Sequence, residues 1–226
     1  MKGYGQFCPI ARTSEILGAR WTHLVIRELG AGSEAFNDLR KGLPLMSPSL
    51  LSARLKSLEA AGVVRRSETE AGVRYTLTDA GRELKPILLA MGTWGRRWAR
   101  TRPGKEELDP SVLMWDIHRT MNAGYFGRTR TNLLFEFRDY AARYRRWWLL
   151  IEDGDVDVCV KDPGYEVDLH ILTDVKTLTG IWMGEIDLGP AIRRKLLQTF
   201  GPARLERDIS KWLGRNYFAD VKPAVS

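Results

Sequence analysis

With 226 residues, 44% of them hydrophobic and 28% charged, the chain is long enough for one large domain or two modest ones. No apolar run is long enough to span a membrane, the N-terminus MKGYGQFCPIARTSE has no apolar signal core, and two cysteines cannot build a disulfide scaffold; a cytoplasmic protein with no membrane partner is expected. Charge is unevenly placed: residues 1–104 hold 17 Lys and Arg against 9 Asp and Glu, net +8, whereas residues 105–226 hold 18 against 19, net −1. A basic front half on a near-neutral back half suggests two jobs, the first with a polyanion.

In chain order, Pro9 opens a first helix with Cys8 as its cap, and Ile10, Ser14 and Leu17 follow before Gly18. WTHLVIREL places Trp21, Leu24, Val25 and Leu29 on one stripe, stopped by Gly30 and Gly32. A short third helix carries Phe36, Leu39 and Leu43 and ends at Pro44. Ser47 is a natural N-cap with Pro48 at the first helical position. Leu51, Leu55 and Leu58 recur at four and three, so they face a core; Ser49, Ala53, Lys56 and Ala60 lie opposite, with Ser52 on the flank. Arg54 lies beside the leucine side, which leaves a phosphate contact and an internal pair both open for it. After Gly62, VVRRS and VRYTLT around the turn TEAG predict a hairpin carrying Arg65, Arg66 and Arg74. Thr78 caps a long last helix to about residue 100, with Leu84, Ile87, Leu88, Met91, Trp94 and Trp98 apolar.

Three helices, a hairpin and a further helix are the order of a winged helix-turn-helix. The helix from Ser47 to Ala61 would enter the major groove of double-stranded DNA, with the hairpin as the wing beside it. Small residues there permit close approach and hydroxyls donate to phosphate or base edges, while Lys56 and the wing arginines supply phosphate charge. The segments CPIARTSEILGARWTHLVIREL, AFNDLRKGLPLMSPSLLSARLKSLEAAGVVRR and YTLTDAGREL resemble the HxlR-type winged-helix regulators over about residues 6–100. That resemblance implies a homodimer on a two-fold-related operator, with the first and last helices of the domain forming the dimer interface. It places Ser47, Pro48, Ser49 and Arg54 in the recognition-helix motif and Arg66 and Arg74 in the wing. Some relatives sense oxidants or electrophiles through the cysteine of this Cys-Pro position. For Cys8, a thiol at a helix N-terminus near Arg12, the alternatives are such a redox role and a small buried filler of the dimer seam.

GKEELDP, between Pro103 and Pro110, predicts a linker. Pro110 opens a helix aligning Leu113, Ile117 and Met121; the period then changes to two. TNLLFEFRD alternates Leu133, Phe135 and Phe137, RRWWLLIED is a continuous apolar run expected of a strand covered on both sides, VDVCVKD alternates Val156, Val158 and Val160, and EVDLHILTD alternates Val167, Leu169 and Ile171. Helices follow at Val175 to Met183, from Pro190, and along a stripe of Leu205, Ile209, Trp212 and Leu213, with KLLQTFG a short strand between the last two. A sheet with helices on one side is the architecture this order predicts.

There is no Gly-rich phosphate loop, no nucleophile with a nearby His pattern and no HxxxH or EF-hand spacing, so no enzyme, cofactor or metal site is expected. His118 and His170 are expected to be structural, and Asp153, Asp155, Asp157 and Asp162 turn-forming. The stretches LLFEF and WWLLIEDGDVDVCVKDPGYEVDLHILTDVKTLTGIWMGEIDLGPAIRRKLLQTFGP, within about residues 111–215, resemble the sterol-carrier-protein-like fold. The resemblance implies an apolar tunnel between sheet and helices for a lipid-like ligand, and Phe135, Phe137, Trp147, Trp148, Trp182, Met183, Phe200 and Trp212 are its candidate lining. The alternative is that these side chains close the core.

The expectation is an α+β protein of two domains: a winged helix-turn-helix at 1–102, a linker at 103–110, and a sterol-carrier-like ligand-binding domain at 111–226. The function expected is a dimeric DNA-binding transcriptional regulator on a palindromic operator, its second domain sensing an apolar small molecule. The alternatives are a redox-responsive regulator through Cys8 with a purely structural second domain, and a lipid-binding carrier.

Overall fold

The computed structural model describes residues 3–99, 104 and 107–224, and the chain divides into two units, Met1–Gly95 and Arg96–Ser226. Most of the expected linker, and the expected end of the last helix at residue 100, lie outside the described residues.

The first unit runs α1 (Pro9–Leu17), α2 (Thr22–Gly30), α3 (Phe36–Gly42), α4 (Pro48–Ala60), a hairpin of β1 (Val64–Thr69) and β2 (Gly72–Leu77), and α5 (Asp79–Trp98), whose last turn falls in the second unit. Proline at the first position starts α1 and α4, and Gly62 at φ 72° releases the chain from α4 into the hairpin. Thr78 starts α5, its Oγ1 accepting from the Gly81 amide at 3.1 Å. Leu51, Leu55 and Leu58 are at most 1% exposed and meet Val25, Ile26, Leu39 and Leu43 in one core. Of the stripe expected for α2, Val25 and Leu29 are buried and Trp21 packs against the core, whereas Leu24 faces out. The helix starts at Thr22, so Thr22, Val25, Ile26 and Leu29 fall on the buried side at helical spacing, and Leu24 is 38% exposed. Along α5 only Leu84 and Leu88 of the expected apolar set pack on this core. Ile87, Met91, Trp94 and Trp98, at spacings of four, three and four, are 47–65% exposed, as are Phe7 and Ile10 still more fully.

The second unit opens with α6 (Pro110–Thr120), started by Asp109, whose carboxylate accepts from the Ser111 amide at 2.7 Å. A 3-10 turn (Ala123–Phe126) leads into β3 (Thr131–Phe137), α7 (Ala142–Arg145), β4 (Arg146–Glu152), β5 (Asp155–Cys159) and β6 (Leu169–Thr173). Then come α8 (Val175–Trp182), α9 (Leu188–Arg193), β7 (Gln198–Phe200), α10 (Ala203–Arg207) and α11 (Ile209–Trp212). The five strands are ordered β5-β4-β3-β6-β7, with β3 and β6 parallel and the other neighbours antiparallel. Asp168 exchanges hydrogen bonds with the Asn132 backbone and the Asn132 amide side chain donates to the Tyr165 carbonyl at 3.0 Å, which ties the crossing segment before β6 to β3.

One face of this sheet carries the core. Leu133, Phe135 and Phe137 alternate on it with Trp147, Leu149 and Ile151 opposite on β4 and Leu169 and Ile171 on β6. Leu113, Met114 and Ile117 of α6, Leu178 and Ile181 of α8, and Ile209 and Trp212 of α11 pack into the same cluster. Three expectations change here. Val160 lies beyond β5 and is 48% exposed; α9 begins at Leu188 rather than Pro190; and the last helical stripe is two short helices. The break falls at Asp208, whose carboxylate is held by Tyr125 Oη at 3.0 Å and Lys211 Nζ at 2.9 Å.

Candidate nucleic-acid interface

Helix α4 is dry on one side and bare on the other. Ser47 caps it by accepting from the Leu50 amide at 3.3 Å, and its hydroxyl lies 3.2 Å from that of Ser49. Ser49, Ser52, Ala53 and Lys56 are exposed opposite the leucines, with Ser47 and Pro48 exposed at the entry. Lys56 makes no ion pair among the described residues. This surface presents hydroxyls, a methyl group and one uncompensated ammonium, with nothing bulky to hold a partner away.

The register of the hairpin sorts the three wing arginines. Arg65 opposes Thr76 and Ser67 opposes Arg74, so Arg65 and Arg74 are diagonal neighbours on one face of the ribbon. Arg66 opposes Tyr75 on the other face, the one that carries Val64 and Leu77 towards the core. There Arg66 donates to Glu68 at 2.9 Å; that carboxylate holds its guanidinium even more firmly protonated and offsets its charge. Arg65 is exposed and carries no ion pair among the described residues. Arg74 is half-buried, where Ala35 forms an isolated bridge to it and the Tyr75 amide donates to the Glu34 carbonyl.

Arg54 does not join the bare side of α4. Its Nε donates to the Arg20 carbonyl at 3.1 Å, fastening α4 to the start of α2. Arg20 itself was not a sequence candidate, since it sits 34 positions away with no periodicity linking it to α4.

A family model of the HxlR-like helix-turn-helix matches residues 16–103. The chain is similar to the uncharacterized HTH-type transcriptional regulator YvaP of Bacillus subtilis (strain 168), 38% identical over 112 residues, which is 48% of this chain and 95% of that protein. The chain belongs to the HxlR-like helix-turn-helix family. It is also similar to the uncharacterized HTH-type transcriptional regulator sll1512 of Synechocystis sp. (strain ATCC 27184 / PCC 6803 / Kazusa), 38% identical over 97 residues, 42% of this chain and 72% of that one. Among solved structures, the redox regulator HypR in its reduced form is 33% identical, covering 39% of this chain and 90% of its own, with a TM-score of 0.37.

Within this HxlR-like chain Cys8 is half-exposed at the N-cap of α1, in an open hollow of about 380 Å³ shared with Tyr4, Gln6, Ile10, Ala11 and Ser14. Arg12, the nearby cation that the sequence offers, is engaged with Glu15 at 3.4 Å. Cys159 lies on β5.

The eight aromatic and sulfur candidates of the second unit do not converge. Phe135, Phe137 and Trp147 lie on the helix-covered face of the sheet, where Trp182 and Trp212 meet them and Met183 packs alongside. Trp148 and Phe200 lie on the opposite face, in a transverse row of Cys159, Trp148, Leu134, His170 and Phe200 across five strands. A strand puts neighbours on opposite faces, so Trp147 and Trp148 cannot share a lining. Phe200 is 52% exposed, while Phe135, Phe137 and Trp212 are fully buried. Both indoles of the helix-covered face are engaged within the protein: Trp182 Nε1 donates to Thr120 Oγ1 at 3.0 Å, and Trp212 Nε1 to the Leu205 carbonyl at 3.0 Å.

Sequence reasoning missed a charge cluster on that second face. Glu136 is almost buried, with Arg145 at 2.8 Å, Arg146 at 3.4 Å and His170 Nε2 at 3.2 Å. Burial works to raise its pKa, but the Arg145 hydrogen bond and the charges of Arg146, Arg145 and His170 outweigh it and hold the carboxylate below the usual glutamate range. The only sequence signal was a glutamate at an interior position of an apolar strand. The expected turn-forming role of the aspartates is met at Asp153, at φ 51° before Gly154, and at Asp162, which accepts from the Gly164 amide at 2.8 Å. No group of His, Cys, Asp and Glu able to hold a metal ion occurs among the described residues, and no helix there is long and apolar enough to cross a membrane.

Proposed function

We propose that this protein is a DNA-binding transcriptional regulator that reads a two-fold-related operator as a homodimer. The observation that carries the reading is the side of α4 from Ser49 to Lys56, exposed and free of bulk while the opposite side is sealed by Leu51, Leu55 and Leu58, with Arg65 and Arg74 facing outward on the neighbouring ribbon. Such a helix fits the major groove, its hydroxyls and Lys56 meeting base edges and phosphates. The relatives' shared naming as transcriptional regulators supports it.

A second copy of the chain fits the exposed stripe of Ile87, Met91, Trp94 and Trp98, together with Phe7 and Ile10. Single exposed apolar residues are ordinary, but four at helical spacing along one helix are an association surface. A dimer so formed would present its two recognition helices to half-sites about 34 Å apart. For the second unit the reading is an apolar or lipid-like effector in a sterol-carrier-like fold, supported by the strand order and the single helix-covered face of the sheet. An effector shifts operator affinity only if it binds the two states of the dimer unequally.

Fluorescence anisotropy against duplexes from the region upstream of its own gene tests the first reading; no binding to any duplex in dilute salt would end it. Native mass spectrometry of freshly purified protein tests the effector, with a co-purified lipid the supporting result and a dimer of bare chain mass the opposing one. A redox reading rests on Cys8, half-exposed at the N-terminus of α1 in the single chain. Diamide lowering operator affinity in the wild type and not in Cys8→Ser is the result that reading requires.

A further inference from the structure

We infer that Arg20, Arg54 and the N-terminus of α2 form a second contact to the DNA backbone, a clamp for one phosphate on the shoulder of the recognition helix. The inference rests on the DNA-binding reading and adds to it Arg20 and the N-terminus of α2, which neither helix periodicity nor the wing predicts. Arg54 has two functional ends. Its Nε is used internally on the Arg20 carbonyl at 3.1 Å, which fixes the plane of the guanidinium, and no acceptor within the described residues takes its Nη groups. Arg20 is exposed, its guanidinium lies 5.4 Å from the centre of the Trp21 ring, and it too makes no ion pair among the described residues. Two guanidinium groups thus stand on residues joined by one hydrogen bond, with no carboxylate between them, beside Ala53 on the exposed side of α4. That is an unbalanced positive charge held in a fixed place, which is how an anion site is built.

The backbone adds to it. Trp21 has φ 77°, an uncommon conformation for a large side chain, and it precedes the first turn of the nine-residue helix α2. The Thr22 amide is taken by Ala19 and that of Val25 by Trp21, so the His23 and Leu24 amides are left at the helix mouth. An arriving phosphate oxygen would meet the two guanidinium groups first, with these two amides beside them. A phosphate diester of the duplex has the matching chemistry, and a contact of this kind fixes register without reading sequence.

The test measures duplex binding by the full chain as a function of NaCl concentration, on an upstream duplex and on one of unrelated sequence. The variants are Arg20→Ala, Arg20→Lys and Arg54→Ala. The Arg20 side chain makes no hydrogen bond among the described residues, and its carbonyl is kept in the variant, so Arg20→Ala should melt as the wild type does. It should weaken binding to both duplexes by about tenfold in dilute salt and lower the salt slope by about one, leaving the ratio between the duplexes unchanged. Arg20→Lys should restore most of the slope. Arg54→Ala should lower the slope likewise. An unchanged slope in Arg20→Ala, with wild-type binding intact, overturns the clamp alone. A changed ratio between the duplexes also overturns it, since the arginine would then be touching bases. If the wild type binds neither duplex, the DNA-binding reading falls and takes the clamp with it.

Discussion

Gly42 closes α3 just before the turn into α4, and a single added methyl group there should unseat both. Glu28 on α2 is fully buried, and its carboxylate is held by Arg27 Nη2 at 2.8 Å, Arg27 Nε at 3.2 Å and the Ser33 hydroxyl at 3.4 Å. A Cβ on Gly42 would lie 1.9 Å from Glu28 Oε2 and 2.2 Å from its Cδ. Ordinary contact needs about 3.4 Å, so the carboxylate or α3 must give way by roughly 1.5 Å. Overpacking of a filled site costs about 1–3 kcal/mol, and prising a buried carboxylate from its partners costs a similar amount. We expect Gly42→Ala to destabilise the first unit by about 3 kcal/mol, lowering its melting temperature by more than about 10 °C. Calorimetry of the full chain checks this, because the transition of the first unit should move while that of the second stays. The decisive measurement is a double-mutant cycle with Glu28→Ala, which removes the atoms the methyl would strike. If Gly42→Ala costs less than about 0.5 kcal/mol, or costs the same with and without Glu28, the steric reasoning is wrong.

In the wing, Arg65→Ala should weaken binding to every duplex and lower the salt slope by about one, whereas Arg66→Ala should do clearly less, because Glu68 already offsets that charge. Glu68→Ala should tighten DNA binding; anisotropy titrations at several salt concentrations separate the three. In the second unit, Phe135→Ala should cost about 3–5 kcal/mol by chemical denaturation and Phe200→Ala no more than about 0.5 kcal/mol, since one ring is fully buried and the other is 52% exposed. Glu136→Gln should destabilise the second unit by on the order of 2 kcal/mol at neutral pH by removing charge-assisted hydrogen bonds. The folded-state pKa of Glu136 is lowered, so its contribution is complete above the ordinary glutamate range and is lost as pH falls through and below it. Melting temperatures of wild type and Glu136→Gln should therefore converge as pH drops from 7 towards 3; a constant gap would contradict the charge network.

What the amino-acid sequence determined by itself was local. Proline at Pro9, Pro48 and Pro110, the caps Ser47 and Thr78, and the glycine at Gly62 mark element boundaries through backbone sterics that act within a few residues. The leucine repeat in α4 and the alternation in β3 are periodicities of single elements, so the bare side of the recognition helix was legible before any fold was known. What only the tertiary structure decided are the relations between elements. The ribbon register separates Arg66 from Arg65 and Arg74; the sheet register divides Trp147 from Trp148 and sends Phe200 to the far face; and Arg54 finds Arg20 across 34 positions. Pairing across a sheet or between helices is chosen by the packing of the whole core, and in a strand a one-residue slip of register exchanges the inside for the outside.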